Sequence, residues 1–235
     1  MPKKKAKHSQ QKASGNAPEM LDLSNSMAMA FATPFVAHPW PDSEQLNEEL
    51  KQLILKKESE SEGMVRSNVS GWHSNVDFFS WEGECIKKLG QRIEQALMSL
   101  TRAITVAPEE GNTRRFGYRV DGWANINRRG AYNTVHNHPN CLWSGVYYVA
   151  AGEPDPEPPH NGKLELLDPR VGTNMIYNKG TIFDARYVID PIPGLMVMFP
   201  SWLNHLVHPF LGDEERISIA FNIVTTEMPS AEQLA

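Results

Sequence analysis

From Arg115 onward the sequence breaks into short runs of strand-forming residues with turn residues between them, and no other feature limits the fold as much. The runs are FGYRVDGWANIN, CLWSGVYYVA, GKLELLD, GLMVMFP, NHLVHPF and RISIAFNIVT. Short runs rich in β-branched and aromatic residues, punctuated by Gly, Pro, Asn and Asp, describe a chain that turns back on itself repeatedly. Coming after helical sequence, they predict an α+β, mainly β protein: an antiparallel sandwich or squashed barrel with helices packed on one sheet.

The helical part spans 42–107. Leu46, Leu50, Leu53 and Ile54 recur at helical spacing and predict an amphipathic helix over Ser43–Ser59, with Asp42 and Gln45 as a capping pair after Pro41. A second helix is expected over Trp81–Thr105, its core stripe made by Ile86, Leu89, Ile93, Leu97 and Leu100. Between them, RSNVSGWHSNVDFF reads as a loop that places Trp72 and His73 over a pocket, with His73 more simply a hydrogen-bonded structural residue.

With 235 residues and 40% hydrophobic content the chain can build one core, so residues 21–235 are expected to form a single domain with its β part over about 115–226. Residues 1–20 carry Lys3, Lys4, Lys5, Lys7 and Lys12 among Gln, Ser, Ala and Gly, and are expected to be a disordered basic tail. The net charge of −5 gives nucleic acid and anionic membranes no global attraction as main partners. No apolar run is long enough to span a bilayer, and none follows the N-terminal lysines as in a secretory signal, so the expected location is the cytoplasm. Cys85 and Cys141 belong to no paired-cysteine motif and are expected to be free thiols.

The stretch GAYNTVHNHPNCLWSGVYYVA places His136 and His138 two residues apart. On a strand, residues at i and i+2 share a face about 6.6 Å apart, so both rings can converge on one ion. Two polar residues on an ordinary turn would give the same spacing. A third candidate ligand is His205, which follows FPSWLN at the start of another strand, while His208 has the opposite parity and is expected to face away. The last strand puts Ile217, Ile219, Phe221 and Ile223 on one face and Arg216, Ser218, Ala220 and Asn222 on the other. An edge strand with a solvated polar face fits this pattern. So does a fork and a hydroxyl that grip a carboxylate beside a metal.

Five segments, SNVSGWHS, HNHPNCLWSGVYYV, LLDPR, FPSWLNHLVHP and ERISIAFN, occur in this order between about Ala30 and Thr226. Together they resemble a family of Fe(II)/2-oxoglutarate-dependent oxygenases of bacteria and phages. The resemblance implies a double-stranded β-helix, a jelly-roll or cupin-like barrel, binding Fe(II), 2-oxoglutarate and O2 at one end. It implies His136 as the first iron ligand and His205 as the distant one. His138 stands where the wider superfamily has Asp or Glu, in keeping with this family's His-x-His. It also implies that Arg216 and Ser218 bind the distal carboxylate of 2-oxoglutarate. The implied activity is that of a dioxygenase that releases succinate and CO2 while hydroxylating a substrate, a small molecule or a peptide. Tyr147, Asn125 and Asn222 are candidate polar groups lining the cofactor pocket, and each serves equally well as a satisfied core group.

Two other readings stay open. A cupin-type metalloenzyme that does not use 2-oxoglutarate shares the His-x-His pattern, but its glutamate would fall where this chain has Leu142 and Trp143. A noncatalytic barrel would use His136, His138 and Arg216 to bind an anion without a metal. Self-association into a homo-oligomer is also left open.

Overall fold

A computed structural model describes residues 21–22, 25–26, 30–105, 116–173 and 186–227; the expected tail over 1–20 lies outside them. Contacts divide the chain into Met1–Ala32 and Thr33–Ala235, and every element named here belongs to the second unit. In order these are β1 (Val36–Pro39), α1 (Glu44–Glu60), β2 (Asn68–Val69), β3 (Trp72–His73), α2 (Glu84–Ile104), β4 (Phe116–Asn127), β5 (Tyr132–His136), β6 (Trp143–Ala150), β7 (Leu164–Leu167), β8 (Arg186–Ile189), β9 (Leu195–Pro200), β10 (His205–Val207) and β11 (Arg216–Glu227).

The strands form two antiparallel sheets, not the closed barrel that the sequence left as an alternative to a sandwich. One runs β1-β9-β6-β11-β4-β3 and the other β2-β5-β10-β7-β8. The loop expected over 66–79 contributes an edge strand to each, β2 beside β5 and β3 beside β4. β11 lies between β4 and β6 in the middle of its sheet, so its polar face is not the wet face of an edge strand. Ile217, Ile219, Phe221 and Ile223 are fully buried on one side, and Arg216 and Ser218 are buried on the other. A central strand covered on both faces keeps the two-residue alternation but loses its usual meaning of in and out.

Both helices form close to where their apolar spacing predicts. The expected Asp42–Gln45 capping pair does not form. Asp42 has a positive φ of 50°, Ser43 occupies the cap position with no capping bond from its side chain, and Gln45 bonds Glu49 one turn on. Ser43 is engaged elsewhere, donating to the Trp40 carbonyl and accepting from Arg92. Leu46, Leu50 and Ile54 of α1 and Leu89, Ile93 and Leu97 of α2 share one core cluster with Tyr147, Met196, Met198 and the isoleucines of β11. Burying a side chain of this size contributes about 1.5–3 kcal/mol. At the centre of this layer β6 and β11 approach so closely that a Cβ on Gly145 would collide with the Phe221 ring, its register partner.

A second cluster joins Tyr148, Val197 and Phe199 of the larger sheet to Leu164 and Leu166 of the smaller one. Three of these residues, Tyr148, Leu164 and Phe199, also line a cleft between the sheets. Among the described residues no helix is long and apolar enough to cross a membrane, and Cys85 and Cys141 are free.

Candidate functional site

Three imidazoles meet in the cleft. His136 ends β5 and His205 begins β10, and the two are direct register partners across the ladder. His138 lies just beyond the end of β5, so the spacing that was expected to act along a strand acts around its exit. There the His138 backbone N–H is fixed by the Ser201 carbonyl at 2.9 Å. One nitrogen of each ring falls within 4.8 Å of the others.

Backbone contacts select the tautomers. A carbonyl can only accept, so Nδ1 of His136 donates to Thr134 at 2.7 Å and Nδ1 of His205 donates to Leu203 at 2.9 Å. Each neutral ring then presents the lone pair of Nε2 to the cleft. The Nε2 atoms of His138 and His205 are 3.3 Å apart. Two ligands at right angles on an ion with bonds of about 2.1 Å would sit about 3 Å apart, so this pair is spaced as neighbouring ligands are. Ser67 Oγ lies 3.3 Å from His136 Nε2.

Burial keeps the rings neutral. It lowers the pKa of His205 to about 3 and that of His138 to about 4, with neighbouring imidazoles adding to both effects. His136 is lowered by burial as well. Neutral nitrogen is the form a metal needs.

The same cleft contains a buried cation. Arg216 is 1% exposed, and among the described residues it has no carboxylate partner. Its Nε donates to the Gly162 carbonyl at 2.8 Å, its Nη1 lies 3.5 Å from Ser218 Oγ, and its guanidinium stands 5.3 Å from the Tyr148 ring centre. Desolvation lowers its pKa, the sign of a charge without a counter-ion. Two further polar groups there are unsatisfied: the hydroxyl of Tyr148 and Oδ1 of Asn125. Arg216 is close enough to act on the Tyr148 hydroxyl electrostatically, but no hydrogen bond of good geometry joins them. Burial dominates and pushes that hydroxyl up to about 12. The cleft holds about 500 Å³ of empty space, mouth included, and among the described residues no acidic one lines it.

Of the residues the sequence singled out, the cleft brings together His136, His138, His205, Arg216, Ser218 and Asn125. Two others lie elsewhere. Tyr147 points to the helices, where its hydroxyl donates to Asn47 Oδ1 at 2.8 Å and accepts from Arg92 at 3.1 Å. Its neighbour Tyr148 is the tyrosine in the cleft. Both are fully buried, so polarity along β6 gives no hint of which one faces which way. Asn222 shares a face with Ser218 but lies about 13 Å further along β11, where it accepts from Ser144 at 2.8 Å.

His208 faces away, as its parity requires, and bonds Glu165 at 2.7 Å. His73 is buried, donates to the Ser74 carbonyl at 2.5 Å and stacks on Trp123, which in turn lies against His138. It is absent from the cleft wall. Sequence reasoning missed Trp123 and Ser67, both of which line the cleft. Trp123 shares the inward face of β4 with Asn125, a period-two relation that could have revealed it.

The sequence over residues 121–222 matches a family model described as "Putative 2OG-Fe(II) oxygenase". No curated protein matches the chain. Among solved structures it is similar to a prolyl-4-hydroxylase from Pseudomonas putida, at 15% identity and a TM-score of 0.54, over 86% of this chain and 95% of that one. HygX from Streptomyces hygroscopicus, solved with nickel and 2-oxoglutarate bound, gives 11% identity and a TM-score of 0.54, over 82% and 83% of the two chains. The non-heme α-ketoglutarate-dependent epimerase SnoN from nogalamycin biosynthesis gives 10% and 0.57, over 84% and 79%. At these identities the likeness is one of fold.

Proposed function

We propose, from the premise that this chain is a 2-oxoglutarate- and Fe(II)-dependent oxygenase, that His136, His138 and His205 hold the iron and that Arg216 and Ser218 bind the distal carboxylate of the cosubstrate. The observation that carries this reading is Arg216, a fully buried cation without an acidic partner among the described residues, in the same cleft as three neutral imidazoles. Burying an unpaired charge costs several kcal/mol, and an anion seated on it removes most of that cost. The donor set suits the groups: imidazole accommodates Fe(II), and a planar fork with a hydroxyl beside it accommodates a carboxylate. In the proposed architecture the two sheets are the walls of a double-stranded β-helix, with the N-terminal helices laid on the six-stranded sheet.

Bound together, iron and 2-oxoglutarate would supply, with O2 as oxidant, decarboxylation to succinate and CO2 coupled to hydroxylation of a substrate, one oxygen atom going to succinate and the other to the product. The chain's own residues bind, orient and exclude water. Thr134 and Leu203 fix the rings of His136 and His205 through their carbonyls. Tyr148, held protonated by burial, offers its unsatisfied hydroxyl to the carboxylate that Arg216 receives. Asn125 adds a second unsatisfied group from β4, on the other side of β11 from Tyr148. Phe199, Leu164, Val146 and Val207 keep the inner wall dry.

The cupin-type reading without 2-oxoglutarate leaves Arg216 unexplained and is not favoured. The decisive experiment supplies Fe(II), O2 and 2-oxoglutarate and measures succinate. The reading expects slow succinate formation that requires Fe(II) and disappears in His136→Ala. An iron-loaded protein that neither binds 2-oxoglutarate nor forms succinate, yet oxidises a thiol or diketone without it, would overturn the reading.

A further inference from the structure

Arg216 is held by a strap that lies outside the metal and cosubstrate motifs. Beyond β6, residues 152–163 fold back alongside residues 208–212. Asp155 N–H donates to Leu211 O at 2.8 Å, Gly162 N–H to Pro209 O at 3.1 Å and His208 N–H to Lys163 O at 2.9 Å, with an isolated bridge between Pro154 and Gly212. In the sequence this segment is only a proline-rich turn.

Asn161 fastens the strap. It is 3% exposed, and its Nδ2 donates to the carbonyls of Asp155 and Leu211, both at 2.9 Å, while its Oδ1 accepts from the Leu211 N–H at 2.6 Å. Gly162 follows with a φ of +65°, and a Cβ there would come within 2.9 Å of the Phe210 ring. Only glycine reaches this conformation without strain and lets the strap lie this close. The Gly162 carbonyl is the acceptor for Arg216 Nε.

We infer that Asn161 and Gly162 are positioning residues that set the plane of the Arg216 guanidinium for a carboxylate. A guanidinium has five N–H donors in a rigid fork, so engaging Nε fixes the direction of the remaining four. With Tyr148 beside the guanidinium and Ser218 near Nη1, the open side of the fork is turned into the cleft. Anchoring the arginine beforehand removes an ordering cost from binding, so the strap's contribution appears as affinity for the distal carboxylate. This rests on the cosubstrate reading of the same cleft.

The test titrates the full chain, loaded with Ni(II), with 2-oxoglutarate and with 2-oxobutyrate, which keeps the 2-keto acid but lacks the distal carboxylate. Asn161→Ala should raise the Kd for 2-oxoglutarate by about tenfold, the worth of one hydrogen bond to a charged group, and leave 2-oxobutyrate almost unchanged. Gly162→Ala should show the same selective loss. Should Asn161→Ala fail to fold, Asn161→Asp keeps the acceptor for Leu211 and loses the donated bonds, and it is read the same way. Equal losses for both ligands, or an unchanged ratio in folded variants, would overturn the inference and leave the strap purely structural. A wild type that binds both ligands equally, or an Arg216→Ala variant with the wild-type ratio, would refute the cosubstrate reading instead.

Discussion

His136 and His205 are direct register partners across the β5–β10 ladder, with ring centres 4.2 Å apart. Their convergence is therefore a property of strand pairing rather than of a flexible loop, and His138 joins them from the first residues past the strand end. A site built on paired strands is held more precisely than one built on loops.

Replacing His205 with Ala should abolish stoichiometric Fe(II) binding while the fold survives. Elemental analysis of the reconstituted variant, beside its circular dichroism spectrum, checks both parts. Full retention of iron would remove His205 from the ligand set.

Arg216→Ala should raise the Kd for 2-oxoglutarate more than tenfold, because losing a charge-assisted pair in a partly desolvated pocket costs about 2 to 5 kcal/mol. Calorimetric titration of the metal-loaded variant measures this. An unchanged Kd would make the arginine structural.

The two adjacent tyrosines should separate cleanly. Tyr147→Phe removes a hydroxyl that bonds Asn47 and Arg92, so it should cost about 1 to 3 kcal/mol of stability and leave 2-oxoglutarate affinity alone. Tyr148→Phe removes a hydroxyl with no hydrogen-bond partner among the described residues, so it should be neutral or stabilising without cosubstrate and weaken cosubstrate binding. Urea unfolding paired with titration distinguishes them, and the opposite pattern would mean that the faces of β6 are assigned the wrong way round.

The metal-free protein should lose stability as the pH falls from about 6.5 towards 4. Burial lowers the folded pKa of His138 to about 4 and of His205 to about 3, below the value of about 6.5 for an unfolded histidine. In that window the unfolded chain binds more protons, so protonation favours unfolding, and the stability present above pH 6.5 is lost on acidification. The effect is on the order of 2 to 3 kcal/mol at pH 4. It is read as the difference in urea stability between wild type and His205→Asn across the range, since other acid-sensitive groups cancel. A pH-independent difference would contradict it.

The sequence carried the architecture where side-chain periodicity reflects burial. The stripes of α1 and α2 and the alternation of β11 mark faces that are now seen packed together. It failed where the pattern is symmetrical or the cause is tertiary. Tyr147 and Tyr148 are equally buried on opposite faces, so their chemistry could not order them. β2 and β3 are two residues each and exist only because β5 and β4 provide partners. Arg92 sits on the buried side of α2, bonded to Ser43, Tyr147 and the carbonyls of Pro41 and Asp42, where helical periodicity alone would put an apolar residue. Asn222 shares its face with Ser218 in the sequence, but distance along the strand takes it out of the cleft. The strap at Asn161 reads as a turn because its bonds run to residues some fifty positions away.

The central claim is tested most directly by a crystal structure of the chain with Ni(II), a redox-silent stand-in for iron, and 2-oxoglutarate. The account predicts one ion bound by Nε2 of His136, His138 and His205, with the distal carboxylate of 2-oxoglutarate on the Arg216 fork and beside Ser218 and Tyr148. An ion held without His138 or His205, or a cosubstrate whose distal carboxylate lies away from Arg216, would contradict it.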